Sequence, residues 1–277
     1  MTSFALRGTF SLGTRLCPSR LRPDKQLPRK EHACRHIQPR QSRSISATRP
    51  VVPRSCSSHG LWLLPSSWDR WAALFEEAGY TALTPGWPDD PETVEEANAN
   101  PEVFADKTIG RVADHYADVI GKLEHKPAVI GHSFGGLLTQ IVAGRGLSAV
   151  SVAIDPAPFR GVLPLPISAL KSASPVLGNP ANRHRAVPLT YDQFRFGFAN
   201  AVSEDEAKEL YEAFAVPASG APLFQAASAN LNPWTEAKVD SKNPDRGPLL
   251  IISGKKDKPS LGRSPTPPTR SRSETRA

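Results

Sequence analysis

The chain predicts an α/β domain in which a mostly parallel sheet carries helices on both faces. Three observations predict it. Short β-type runs at residues 80–84, 128–132, 149–155 and 249–252 alternate with segments of helical period. Strands separated by crossover helices pair in parallel within a sheet covered on both sides. A chain of 277 residues, 39% of them hydrophobic, is long enough for one such core. No run approaches the eighteen or so consecutive apolar residues of a membrane span.

Residues 1–58 read as a basic, disordered leader. Through residue 50 it is rich in arginine and serine, with only Asp24 and Glu31 as acids, a composition similar to a mitochondrial transit peptide or to a misframed segment. Cys17, Cys34 and Cys56 all fall in this leader, so no disulfide framework is expected in the domain. His32, Cys34 and His36 match no common zinc spacing, and no metal site is expected. Residues 54–58, Arg-Ser-Cys-Ser-Ser, are too polar for the core strand that should precede His59-Gly60. With suitable synonymous codons, a two-base shift there reads Phe-Val-Leu-Val, a strand of the expected type.

From residue 59 the elements follow in order. Ser66 or Ser67 is expected to cap a helix carrying Trp68, Trp71, Ala72 and Phe75 on one face, closed by Gly79. A strand at 80–84 is stopped by Pro85-Gly86-Trp87-Pro88. After an acidic loop comes a helix with Ile109, Val112, Tyr116, Val119 or Ile120, and Leu123 inward. Residues 128–132 are a buried-strand run that breaks into Gly131-His132-Ser133-Phe134-Gly135 and then an apolar helix. A serine on a sharp strand-to-helix turn needs side-chain-free neighbours, and the following helix presents N-terminal amides to a developing anion. Ser133 is therefore the candidate nucleophile, with the Phe134 N–H as one oxyanion donor.

Together with His59-Gly60-Leu61-Trp62 and the late run Ile251-Ile252-Ser253-Gly254-Lys255-Lys256-Asp257, this motif resembles the α/β-hydrolase superfamily of serine hydrolases. The resemblance spans residues 59 to about 257, in two core segments, 59–158 and 247–257, separated by a cap at 159–246. It implies Leu61 as the second oxyanion donor and Asp257 as the acid, with Asp155, at the end of the next strand, as the alternative. It also implies a histidine after one more strand, yet the chain has none beyond His184. His184 itself lies in the insertion and is a poor substitute. A single-base loss after the Asp257 codon, with suitable codons, accounts for the proline-rich tail at 258–277 and for the missing histidine. The expected fold is thus incomplete at both terminal strands.

The cap holds a helix opened by Ser203-Glu204-Asp205-Glu206 and an aromatic group, Tyr191, Phe194, Phe196, Phe198, Phe224 and Trp234. His59, Gly60, Trp62, His132, Phe194, Phe198 and Trp234 are the expected substrate contacts. The implied activity is hydrolysis of ester or related acyl bonds in small apolar molecules, with no cofactor. The alternative is a noncatalytic ligand-binding protein of the same fold. The net charge of +7 divides into about +10 over residues 1–59, about −8 over 60–254 and about +5 beyond, so the domain is acidic and offers nucleic acid no basic face. A cytoplasmic location is expected, or a mitochondrial one if the leader is a transit peptide. Oligomeric state is left open.

Overall fold

The computed structural model describes residues 52–163 and 167–254. The leader through residue 51, Asp257 and the tail from residue 258 lie outside the described residues. The elements run β1 (Arg54–Ser58), α1 (Asp69–Glu77), β2 (Thr81–Leu83), α2 (Val94–Ala99), α3 (Ile109–Gly121), β3 (Ala128–His132), α4 (Phe134–Gly144) and β4 (Val150–Ile154). The cap contributes α5 (Ile167–Leu177), β5 (Ala186–Val187), α6 (Tyr191–Phe198), α7 (Glu204–Phe214), β6 (Ala218–Ser219) and α8 (Ala221–Ala227), and β7 (Leu249–Ile252) returns to the core. Five parallel strands form the main sheet in the order β2-β1-β3-β4-β7.

Strand β1 departs from the sequence expectation: although Arg-Ser-Cys-Ser-Ser is too polar to predict a core strand, it pairs with both β2 and β3, and Ser55 through Ser58 are buried. Small side chains fit between two flanking strands, and backbone pairing on both edges supplies the hydrogen bonds that the side chains do not. The sequence as written therefore forms a strand in the position before His59. Cys56 is likewise part of the domain: it is fully buried, and burial pushes its thiol up to about 12, so it behaves as a small apolar group.

Alternation along the strands sends side chains to two helical layers. Cys56 and Val129 pack with Val112, Tyr116, Leu137 and Ile141 of α3 and α4. Ile130 and Ile154, from the other face, pack with Trp68 and with Trp71 and Phe75 of α1. Helix α4 is buried along its whole length, as its apolar sequence requires. Thr108 caps α3 through Arg111 N–H, and Ser203 caps α7 through Glu206 N–H. The expected cap on α1 does not form, because a 3-10 turn at Pro65–Trp68 precedes the helix and the Ser67 hydroxyl donates to the Leu64 carbonyl. The cap also contains a short antiparallel pair, β5 with β6, that no alternation announced. Val150, Leu250 and Ile252 remain exposed where β4 and β7 meet.

Candidate active site

Strand β3 ends at His132 and α4 begins at Phe134, so Ser133 alone must reverse the chain. It does so at φ 56° and ψ −119°. Such a conformation in a non-glycine residue costs on the order of 1–3 kcal/mol and persists only where the surroundings enforce it. The enforcement is visible: Ser133 N–H donates to the Ile154 carbonyl at 3.0 Å, and the Ser133 carbonyl accepts from Leu137 and Ala157. The two motif glycines are required by contact. A Cβ on Gly131 would collide with the Gly135 carbonyl and the Thr139 hydroxyl, and one on Gly135 with the carbonyls of Ser58 and His59.

The loop after β1 closes over this turn. Gly60 packs so tightly on Ser133 that a Cβ there would stand 3.1 Å from the serine Cβ and 3.5 Å from its Oγ. Next to it lies Leu61, buried like Phe134. Neither the Leu61 nor the Phe134 N–H has a hydrogen-bond partner among the described residues; for Phe134 this follows from its place at the first position of a helix. Trp62, at φ 63°, ties the loop to the cap: its indole N–H donates to the Val187 carbonyl at 2.9 Å and its own carbonyl accepts from Val216.

Between core and cap is a cavity of about 350 Å³, which the neighbours of Ser133 line but Ser133 itself does not. His59, Gly60 and His132 line it from the core, with Phe194, Phe198 and Leu210 among the cap residues opposite. Phe194 and Phe198 are stacked with centroids 4.8 Å apart, and Trp62 meets Phe198 edge-on. Arg70, Glu206 and Glu209 add charge to the lining. Two expected contacts do not line this cavity: Trp62, whose indole is tied to the Val187 carbonyl, and Trp234, which is 87% exposed because the segment after α8 crosses the surface.

Asp155, at the end of β4 with φ 41°, accepts the Gly254 N–H at 2.8 Å, so its carboxylate stands where the chain leaves β7. His184 pairs with Asp106 at 2.7 Å on an exposed surface and does not line the cavity.

Sequence reasoning missed the partners of His59. Its Nε2 lies 3.1 Å from Asp90 Oδ2, and its Nδ1 2.9 Å from the Gly60 carbonyl. Lys107 donates to Asp90 Oδ1 at 2.6 Å, and Trp87 N–H to Oδ2 at 2.7 Å. The His59, Asp90 and Lys107 side chains are all buried. Burial pushes the Asp90 carboxyl up, but the hydrogen bond and charge of His59 and the charge of Lys107 outweigh it and hold the group below the ordinary carboxylate range. His59 and Asp90 have the look of a base–acid pair beside Ser133. Both ring nitrogens, however, are engaged by Gly60 and Asp90 and neither by Ser133. No local pattern links residues 59, 90 and 107, and only the fold brings them together. Among the described residues, no group of three or more potential ligands is placed to hold a metal ion.

The parallel sheet with helices on both faces is the fold of an α/β hydrolase. The Alpha/beta hydrolase family model matches residues 58–275, and the chain belongs to that family. No curated protein sequence matches it significantly. Among solved structures, polyneuridine aldehyde esterase is similar at 14% identity and a TM-score of 0.51, covering 75% of this chain and 82% of that one. An extracellular α/β-hydrolase from a Paenibacillus species is 20% identical, with a TM-score of 0.49 and coverages of 75% and 92%. The methylesterase MES16 from Arabidopsis is 12% identical, with a TM-score of 0.46 and coverages of 73% and 89%. At these identities the likeness is one of fold.

Proposed function

We propose that the chain is a serine hydrolase in design, built to act on ester or related acyl bonds of small apolar molecules. The observation that carries this reading is Ser133, held at a strained turn under Gly60, with its neighbours Gly60 and His132 lining an apolar cavity. Ser133 attacks the acyl carbon, and the N–H groups of Leu61 and Phe134 take the oxyanion. Asp257, or Asp155 in its place, is the acid. A base is the weak point, because the His59 nitrogens are engaged, His184 pairs with Asp106 on the surface and does not line the cavity, and no histidine follows it in the sequence. Loss of a triad member costs several orders of magnitude in rate while leaving residual catalysis from the oxyanion donors.

That histidine inventory favours a second reading, ligand binding without turnover. One experiment separates the two: hydrolysis of p-nitrophenyl butyrate by the wild type and S133A, alongside binding of a nonhydrolysable butyl ketone followed by tryptophan fluorescence. Slow turnover that S133A abolishes supports the hydrolase. Ketone binding with no turnover in either protein supports the binding protein. Turnover equal in both removes Ser133 from the reaction and overturns the proposal.

A further inference from the structure

The buried group beneath the oxyanion loop has a protonation pattern that its geometry dictates. A neutral imidazole donates from one nitrogen and presents a lone pair at the other. The two ring nitrogens of His59 face the Gly60 carbonyl at 2.9 Å and the Asp90 carboxylate at 3.1 Å, and each oxygen is an acceptor only. A lone pair directed at either would be repelled at that distance, so both nitrogens must donate. Asp90 is in turn saturated by donors: His59 and Trp87 N–H on Oδ2, Lys107 on Oδ1.

We propose that Asp90, with Lys107 as its counter-charge, is a positioning residue for the oxyanion loop: it holds His59 as a doubly protonated imidazolium whose other edge fixes Gly60, and hence the Leu61 N–H, against Ser133. This rests on the hydrolase reading only for the role of Ser133. The imidazolium, Lys107 and Asp90 together carry one net positive charge close to where an oxyanion would form. Two aromatic faces accommodate that charge: Trp87 stacks on the His59 ring at 5.5 Å, and Phe104 lies 4.6 Å from Lys107 Nζ. The anchor also reaches the cap, since Lys107 N–H donates to the Ser219 hydroxyl at 3.1 Å. Loop, cap and core thus meet at one buried carboxylate.

The ring state is read by NMR of the full-length chain at pH 7, without reference to hydrolysis. Wild type is expected to show two protected His59 ring N–H signals, and D90N to lose the Nε2–H and shift the Gly60 and Leu61 amides. A single protonated nitrogen in the wild type, or unmoved amides in D90N, overturns the proposal. If D90N does not fold, D90N/K107M, which leaves no unpaired buried lysine, takes its place with the same expectations. The loop's effect on Ser133 is read by the rate of labelling with a phosphonate ester. The expected result is a ten- to hundredfold slower reaction in the variant, with butyl ketone binding unchanged; equal loss of both marks a general folding defect and overturns the positioning role. Should wild-type Ser133 prove inert to the phosphonate, the hydrolase reading falls, while the two NMR outcomes still decide the ring and the loop.

Discussion

Ser133 and Asp90 show how single residues are held in states that they would not adopt alone. The serine backbone is strained, and the space around it is allotted to glycine. Replacing Gly135 by alanine drives a methyl group into the carbonyls of Ser58 and His59, backbone atoms that cannot swing aside. A loss of several kcal/mol, at the upper end of single-substitution effects, is expected, measurable as a collapse of soluble yield or a large fall in Tm. Asp90 makes a prediction in pH. Its folded carboxyl is held below the ordinary value of 3.8, so its stabilisation is fully present above that value and fades as pH falls through the folded one. Acid titration of wild type against D90N should show a stability gap at neutral pH that closes below about pH 3.8. A gap that is constant with pH would mean that the charge contributes nothing.

At the scale of elements, the elbow and β1 are opposite cases. The sequence 128–144 announces strand, turn and buried helix because each is made of residues suited to it, and the glycine spacing has one economical explanation. The strand Arg54–Ser58 announces nothing, because its residues lack the bulk and apolarity that mark a buried strand. It holds its place through backbone pairing on both sides. That placement is not free: the Ser55 hydroxyl is buried with no hydrogen-bond partner among the described residues. An unpaired buried hydroxyl costs about 1–3 kcal/mol, so S55A should raise stability by roughly 1 kcal/mol in denaturant melts. A loss instead would reveal a bound water or another partner for the hydroxyl. The cap was legible as a helical insertion from Ser203 and the aromatic spacing, but the choice of Phe194 and Phe198 over Trp234 as cavity lining depended on where the segment after α8 runs.

On the scale of the whole molecule, one face of the sheet is only partly covered. Val150, Leu250 and Ile252 are 39%, 55% and 43% exposed, and the register sets Leu250 and Ile252 beside Val152 and Ile154 of β4. Strand β7 carries no charge and no proline, and it pairs only with β4 among the described residues, an arrangement that invites association. I252K should therefore reduce concentration-dependent light scattering while leaving ketone binding intact. Unchanged scattering would place the association surface elsewhere. Among the described residues, no helix is long and apolar enough to cross a membrane.

The sequence by itself determined the parallel α/β class, the position of Ser133 and the identity of its glycine neighbours. These are local properties: hydrophobic period, strand length and the steric demands of one turn are written in consecutive residues. Only the tertiary structure decided that a serine-rich segment is an interior strand, that Cys56 is core, and that His59 is bound to Asp90, which Lys107 also holds, rather than directed at Ser133. Those outcomes depend on partners 17 to 73 residues away in the chain. Burial and pairing at such distances are set by how the elements stack, and no short window of sequence contains them.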